Sequence, residues 1–253
     1  MRNNPDKHRL PRFEKSGILL VNKPSGWTSH DVVALMRARF NAVKVGHCGT
    51  LDPAATGLLV VVFGRFTKLS QKFSGEDKVY TGTILLGTET DSQDMDGNVI
   101  RTSDWHGVTE TELRETFASF AGPQLQTPPM VSAVSRDGQR LYKLARKGIE
   151  VEREPKEIVI HSIRVDKVDL PYADFTVKCS KGTYIRTLCA DIGSDLGCGA
   201  VLYRLNREMS GEFTLADAVT VDEIKTWEQA DLERHLTDFL FNKLSKMNKF
   251  TSF

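Results

Sequence analysis

The apolar residues in the N-terminal part of the chain predict a strand, a helix and a second strand. The apolar run 17–21 ends in Asn-Lys-Pro-Ser-Gly, which indicates a strand followed by a turn. A helix should follow, with Ser29 as its N-cap and an apolar stripe at helical spacing. That stripe comprises Val32, Val33, Met36 and Phe40. The apolar run 58–63 lies between glycines, as a fully buried strand does.

The rest of the chain adds further strands and helices in an irregular order. Residues 77–87 alternate and are rich in β-branched types, and residues 157–169 and 173–179 are also predicted to be strands. Amphipathic helices are expected at 110–120 and 183–196, where apolar residues recur at helical spacing. Because no regular βαβ repeat is present, we predict an α+β fold with a large mixed, mainly antiparallel sheet flanked by helices and loops.

Composition indicates a globular protein but does not indicate its function. Apolar residues make up 40% and charged residues 26% of the chain, as in an ordinary globular protein, and the net charge is +1. An argument for RNA binding therefore depends on local basic clusters and not on a global positive field. No apolar run approaches the roughly 20 residues that span a bilayer. The polar, basic start also lacks the apolar stretch of a secretory signal, so we expect a cytoplasmic protein.

The cysteines do not form a pattern that is typical of a metal site. Cys48, Cys179, Cys189 and Cys198 occur without a Cys-x-x-Cys pair or a nearby set of histidines. We therefore expect free thiols, and neither a metal centre nor a disulfide framework.

The segment 46–57 has the composition of a loop that builds a site. Its glycines allow a ligand to approach the backbone closely. Pro53 favours an extended conformation at Asp52, which would hold that carboxylate in one direction. The alternative is that Asp52 caps a turn and the glycines only shape a connection. The residue types alone leave both interpretations open.

Three blocks of sequence, in order along the chain, resemble the motifs of one enzyme family. They are LLVNKPSGWTSHDVV, GHCGTLDPAATGLLVVVFGRFTK and CSKGTYIRTLCADIG. From about Gly17 to Gly211, the chain resembles the TruB-type tRNA pseudouridine synthases. The resemblance implies the pseudouridine-synthase fold, a tRNA substrate and an isomerase that needs neither a cofactor nor a metal.

In this family one aspartate is essential, and the resemblance assigns that role to Asp52. The implied reaction flips a uridine out of the TΨC loop of tRNA, at position 55 in tRNA numbering. It then detaches uracil at N1 and rejoins it through C5 to the same ribose carbon. Asp52 can attack C1′, add to C6 of the ring or remove the C2′ proton, and the sequence does not choose among these routes.

Two further residues match positions that the family uses in its catalytic site. Arg186 is implied as the cation that keeps Asp52 ionised, since a guanidinium can hold a carboxylate through two parallel hydrogen bonds. Tyr80 matches the tyrosine that stacks on the flipped base. The alternatives are an exposed arginine at a helix start and a strand aromatic in the core.

Four residues are implied in binding the substrate. His47 matches a histidine that occupies space vacated by bases leaving the T-loop stack, and its alternative is support of the loop. Leu205 matches an apolar residue against the base edge, with a plain core leucine as the alternative. Tyr184 is expected to pack near the same pocket, with a structural role favoured over contact with the base. Lys23 is expected to contact the pocket or a phosphate, unless it is a solvated lysine at a strand end.

The predicted organisation has three parts. Residues 1–15 form a polar extension, 16–220 a catalytic domain, and 221–253 an amphipathic helical tail in place of a complete PUA-type RNA-binding domain. A basic insert at about 126–155 corresponds to the family's clasp on the T-arm and carries Arg136, Arg140, Lys143, Arg146 and Lys147. The tail has an apolar stripe of Leu232, Leu236, Leu240, Leu244 and Met247.

Two other function classes compete with a tRNA-modifying enzyme. A chaperone that clasps the tRNA elbow without turnover would not need Asp52, Tyr80 and Arg186 together. A nucleosidase or glycosidase would need a second carboxylate, and no other acid lies in a comparably built loop. We expect the T-arm of tRNA as the partner, and no obligate protein partner is indicated.

Overall fold

The strands and helices of the chain belong to two compact units. The computed structural model describes residues 10–130, 135–136, 139–140, 151 and 153–236. The first unit contains residues 1–53, 57–74 and 213–253, and the second contains residues 54–56 and 75–212.

The elements follow one another in an irregular order of strands and helices. In the first half of the chain they are β1 (Gly17–Lys23), α1 (Ser29–Phe40), β2 (Val45–Cys48), β3 (Thr56–Phe63), α2 (Ser70–Ser74), β4 (Lys78–Leu86), β5 (Thr88–Thr90), β6 (Val99–Thr102), α3 (Glu110–Ser119) and β7 (Gly122–Gln126). In the second half they are β8 (Ser135–Arg136), β9 (Gln139–Arg140), β10 (Lys156–Asp169), β11 (Tyr172–Cys179), α4 (Ile185–Asp195), β12 (Ala200–Ser210), β13 (Phe213–Thr214), β14 (Val219–Thr220) and α5 (Val221–Thr226). Short 3₁₀ helices occur at Gly64–Leu69 and Leu215–Asp217.

The first unit is built on β1, which pairs antiparallel with β3 and parallel with β14. β2 pairs with the other edge of β3. The apolar stripe of α1 packs with these strands, and Leu232 and Leu236 of the predicted tail are buried in the same core. Residues 229–236 are helical, whereas Leu240, Leu244 and Met247 lie outside the described residues. Phe13 is also buried here, so the packed part of the unit begins before β1.

Helix α1 begins one residue earlier than predicted. Thr28 is the N-cap: its side chain accepts a hydrogen bond from the Asp31 amide, and the Asp31 carboxylate accepts one from the Thr28 amide. This reciprocal pair satisfies two backbone donors at the helix start. The prediction of Ser29 as the N-cap is therefore wrong, and its hydroxyl is free for another use.

The second unit is built on five strands in the order β12-β4-β11-β10-β7, all of them antiparallel to their neighbours. Leu113 and Phe117 of α3 are buried, and the Phe117 ring contacts that of Phe175 on β11. The apolar stripe of α4 is buried as well. β5 and β6 form a separate hairpin around the acidic turn that the sequence indicates.

These elements confirm the predicted α+β class with a large mixed, mainly antiparallel sheet flanked by helices and loops. The strands and helices predicted between residues 17 and 196, outside the insert, are present with small shifts at their ends. Several elements are additional to the prediction, among them β2 and the long strand β12. No helix within the described ranges is long and apolar enough to cross a membrane. The four cysteines are buried free thiols.

Candidate active site

Asp52 lies in the loop between β2 and β3, and the residue after it is fixed by a buried lysine. Lys23, at the end of β1, is fully buried. Its Nζ donates hydrogen bonds to the carbonyl oxygens of Trp27 at 2.6 Å and Pro53 at 3.2 Å. The amide of Gly26 also donates to the Pro53 carbonyl oxygen, at 2.9 Å. β1 and the turn that follows it therefore hold the chain immediately after Asp52.

The residue before Asp52 is fixed by the hydroxyl of Ser29. Ser29 Oγ accepts a hydrogen bond from the Leu51 amide at 2.9 Å and donates one to the Leu51 carbonyl oxygen at 3.2 Å. Ser29 and Leu51 are both buried, and Asp52 is half-buried. Because both neighbours of Asp52 are held through main-chain atoms, the backbone position of Asp52 is fixed. The pattern of residue types does not reveal this role of Ser29.

The burial of Lys23 decides between its two sequence interpretations. A solvated lysine at a strand end would be exposed, so that alternative is wrong. A buried ammonium has to be hydrogen-bonded, and here main-chain carbonyl oxygens serve as acceptors. Contact with the substrate pocket or a phosphate stays a prediction.

His47 lies on β2, which the sequence pattern assigns to a glycine-rich loop. It is half-buried and pairs with Val61 on β3. The buried strand β3 therefore fixes the backbone at His47. Its predicted place in the T-loop stack stays a prediction.

Tyr80 and Leu205 lie on the same face of the second unit's sheet, called here the inner face. Tyr80 on β4 pairs with Val177 on β11, and Leu205 on β12 pairs with Gly82 on β4. Directly paired residues carry their side chains on the same side of a sheet, and so do residues two apart on one strand. Tyr80 is buried and Leu205 half-buried. The structure thus brings together these two predicted base-binding residues.

Arg186 is buried in the first turn of α4, with only 3% of its surface exposed. Its NH1 donates to the Ser92 carbonyl oxygen at 2.9 Å, and its Nε lies 3.5 Å from Asp94 Oδ2. The exposed alternative for Arg186 is therefore wrong. Asp94 balances the buried charge and orients the guanidinium, while the predicted pairing with Asp52 stays a prediction.

Asp94 is a site residue that the sequence interpretation misses. It belongs to the acidic turn between β5 and β6, where the residue types indicate only a turn. Thr187, next to Arg186, binds the same turn through a 2.8 Å hydrogen bond from its hydroxyl to Gln93 Oε1. Consecutive residues of α4 thus anchor this turn. The indication of this role in the sequence is an unusually acidic turn, but the sequence does not identify Arg186 as its partner.

Tyr184 is the N-cap residue of α4 and is half-buried. The Gln126 side chain binds its backbone twice, accepting from the Tyr184 amide at 2.8 Å and donating to its carbonyl oxygen at 3.0 Å. The amide of Gln126 thus fixes the start of the helix that carries Arg186. A contact of the Tyr184 ring with substrate stays a prediction.

Two further cations are buried in the second unit and are also missed by the sequence interpretation. Arg207 is 1% exposed and Lys78 is 6% exposed. Burial and the charge of Arg207 lower the pKa of Lys78 from 10.5 to about 8. Nearby, burial raises the pKa of the Cys179 thiol to about 11, which keeps it protonated.

The predicted RNA-clasping insert is described only in part. Arg136 and Arg140 lie on the β8–β9 pair, opposite Gln139 and Ser135. Lys143, Arg146 and Lys147 lie outside the described residues. The role of these basic residues stays a prediction.

Within the described ranges, no group of three or more His, Cys, Asp or Glu side chains could hold a metal ion. The chemistry that these residues can offer is that of a carboxylate on a fixed loop, a buried guanidinium paired with a second carboxylate, and a tyrosine on the inner face of the sheet.

Comparisons with known proteins identify the family. A model described as TruB family pseudouridylate synthase (N terminal domain) matches residues 37–185, and one described as tRNA pseudouridylate synthase B C-terminal domain matches residues 186–242. The chain is 50% identical over 226 residues to a tRNA pseudouridine synthase B of Opitutus terrae, covering 89% of this chain and 94% of that relative. It is 48% identical over 214 residues to one of Geobacter sulfurreducens, covering 85% and 70%.

Solved structures agree with this assignment. A chain of a Cbf5-Nop10-Gar1 complex superposes with a TM-score of 0.66 at 28% identity, covering 83% of this chain and 53% of that one. A chain of an H/ACA RNP bound to a substrate RNA containing 2'-deoxyuridine gives a TM-score of 0.62 at 26% identity, covering 83% and 52%. This chain spans about half the length of those two chains.

The chain belongs to the TruB family of pseudouridylate synthases. The predicted resemblance is thereby confirmed, together with the pseudouridine-synthase fold and the isomerase class.

Proposed function

We propose that this chain isomerises the uridine at position 55, in the TΨC loop of tRNA, to pseudouridine. The proteins of Opitutus terrae and Geobacter sulfurreducens that it resembles are named tRNA pseudouridine synthase B. The observation that carries the proposal is the fixed backbone on both sides of Asp52, because this chemistry needs one carboxylate aimed at one nucleoside. A tRNA substrate makes the protein an RNA-binding enzyme of tRNA processing and is consistent with a cytoplasmic location.

Asp52 acts as the essential carboxylate of the reaction. The N1–C1′ bond breaks, uracil turns within the site, and a C5–C1′ bond forms while the C5 proton leaves and N1 gains one. Attack at C1′, addition to C6 and removal of the C2′ proton all require an ionised Asp52 within contact distance of the flipped nucleoside. Lys23 and Ser29 support each route equally, since they fix the backbone and not a particular reaction step.

The second unit supplies the groups that hold the base and the charge. Tyr80 offers an aromatic face on which an unstacked uracil can lie, with Leu205 on the same face against its edge. Arg186 keeps Asp52 ionised, and Asp94 holds the guanidinium in the plane that this task needs. His47 and the basic insert engage the T-arm, where phosphate contacts supply affinity independent of sequence.

The experiment follows tRNA that carries tritium at C5 of its uracil bases. Isomerisation releases tritium to water while uracil stays attached to the RNA, whereas a hydrolase releases free uracil and a chaperone does neither. A tRNA with cytidine at position 55, otherwise identical, is the matched control and should release no tritium. Release from that control would contradict the assignment of position 55 and leave the isomerase class intact.

A further inference from the structure

The buried side chain of Arg207 lies directly opposite Tyr80 in the second unit's sheet. Arg207 on β12 pairs with Tyr80 on β4, just as Leu205 pairs with Gly82. Such paired residues place their Cβ atoms about 5 Å apart on one face. Arg207 and Tyr80 are 1% and 8% exposed. Their side chains therefore share one enclosed region of the inner face.

Two irregularities in β12 bracket the segment that carries Arg207. The register with β4 shifts between Leu202 and Arg204, and again between Arg207 and Met209. A bulge redirects the side chains of a strand and is frequent next to active sites. Between these two bulges the pairing is regular, so Leu205 and Arg207 both point to the face of Tyr80.

The charge environment shows why an arginine suits this position. Lys78 lies two residues before Tyr80 on β4 and is buried on the same face, close enough to Arg207 for its pKa to be lowered by that charge. Burying two cations in one region carries a desolvation cost, which has to be offset by their contacts. A guanidinium is planar, weakly hydrated and able to stack on an aromatic ring, which an ammonium cannot imitate.

We propose that Arg207 is a positioning residue of the isomerisation, which fixes the ring of Tyr80 at the angle required for stacking on the flipped uracil. The inference rests on the proposed function of Tyr80. Arg207 acts through the tyrosine and does not need to touch the substrate. The competing explanation is that Arg207 only completes a charge network in the core.

The first test replaces Arg207 by lysine, with Arg204→Lys as the matched control. Arg204 is an exposed residue of the same strand. Single-turnover tritium release is measured at saturating tRNA, together with tRNA binding and urea denaturation. Arg207→Lys should lower the rate constant roughly 10- to 100-fold with unchanged tRNA affinity, because small displacements of a reacting geometry are that costly. Arg204→Lys should match the wild type, and a wild-type rate in Arg207→Lys would overturn the proposal.

A double-mutant cycle separates positioning of Tyr80 from general support of the core. In a Tyr80→Leu background, Arg207→Lys should lower the remaining rate by less than about twofold, since the ring on which it acts is gone. A loss as large as in the wild-type background would mean that Arg207 acts elsewhere. If Tyr80→Leu alone keeps the wild-type rate, the role of Tyr80 in the proposed function is wrong and this inference is overturned with it. Should Arg207→Lys fail to fold, Arg207→Met takes its place in the cycle, because it keeps a long side chain and removes the charge.

Discussion

The two units fix their functional residues by different means. In the first unit, Lys23 and Ser29 hold the loop of Asp52 through main-chain atoms of Pro53 and Leu51. In the second unit, Arg186 also depends on a charged side chain, that of Asp94. Contacts to the main chain tolerate changes in neighbouring side chains, whereas a charge pair fails when one member is replaced. The second unit should therefore be the more sensitive to conservative substitutions and to pH.

The sequence separation between contacting residues also differs between the two units. Lys23 and Pro53 are 30 residues apart, and Ser29 and Leu51 are 22 apart, whereas Arg186 and Ser92 are 94 apart. Closing a longer loop costs more entropy, although the increase is slow. The loop of Asp52 is thus held mostly by neighbouring elements, whereas the contacts of Arg186 require a completed sheet and helix.

The largest effect on stability is expected for Lys23→Met. The substitution removes the donor for the carbonyl oxygens of Pro24, Trp27 and Pro53. The Pro53 oxygen keeps the Gly26 amide as a donor, whereas the Pro24 and Trp27 oxygens lose a charged donor worth about 1.5 to 3 kcal/mol each, so the free energy of unfolding should fall by roughly 3 kcal/mol. Urea denaturation measures this change in the free energy of unfolding, with Lys44→Met at an exposed position as the control. Equal stability of the two variants would contradict the distinction between the units, because the loop of Asp52 would then not depend on the main-chain contacts of Lys23.

Asp94→Asn tests the charged half of the comparison. It removes the carboxylate that lies 3.5 Å from the buried guanidinium of Arg186, and breaking a buried charge pair costs about 3 kcal/mol. The turnover number for tRNA should fall strongly while tRNA affinity is retained. The exposed Asp96→Asn in the same turn is the control and should behave as the wild type. If both variants keep full turnover, Asp94 does not orient Arg186.

Ser29→Ala is expected to have a smaller effect within the first unit. It removes both hydrogen bonds to Leu51, which should lower the free energy of unfolding by about 1 to 2 kcal/mol and also lower turnover. The exposed Ser25→Ala is the matched control. A loss of stability without any loss of turnover would show that the direction of Asp52 does not depend on Ser29.

The smallest effect is a pH dependence that belongs to the second unit. Because burial lowers the pKa of Lys78 from 10.5 to about 8, the unfolded chain binds more protons than the folded one between these values. Lys78 should therefore contribute a rise of roughly 1 kcal/mol in the free energy of unfolding from pH 8 to pH 9. Burial raises the pKa of the Cys179, Cys189 and Cys198 thiols, which acts in the opposite direction near and above pH 9, so the Lys78 contribution is the difference between the wild type and Lys78→Met. Lys78→Met should abolish the rise and the exposed Lys178→Met should keep it; the same rise in both would assign it to another group.

The sequence predicts the elements with strong periodicity and misses those whose pattern is interrupted. β3 is a continuous apolar run and α4 has a clear stripe, so both are predicted. β12 carries two bulges and several charged residues, which disturb its alternation and conceal it. β2 is short and contains a glycine, so it is predicted as part of a loop.

The same limit applies to the candidate site. The resemblance to the family implies the roles of Asp52, Tyr80 and Arg186, whereas the residue types alone leave them open. Ser29 and Asp94 act through partners 22 or more residues away, and their local sequence indicates only a helix cap and a turn. Their roles follow from packing, which the local pattern does not contain.

The central claim is that Asp52 is the essential carboxylate of the isomerisation, and the measurement that tests it most directly is pseudouridine formation by Asp52→Asn. The asparagine keeps the shape of the side chain and removes its nucleophilic and basic character. The variant should fold with the stability of the wild type, bind tRNA with unchanged affinity and release no tritium from C5-labelled tRNA. Asp222→Asn, at an exposed position of the same unit, should remain fully active. Appreciable turnover by a folded, tRNA-binding Asp52→Asn variant would contradict the account.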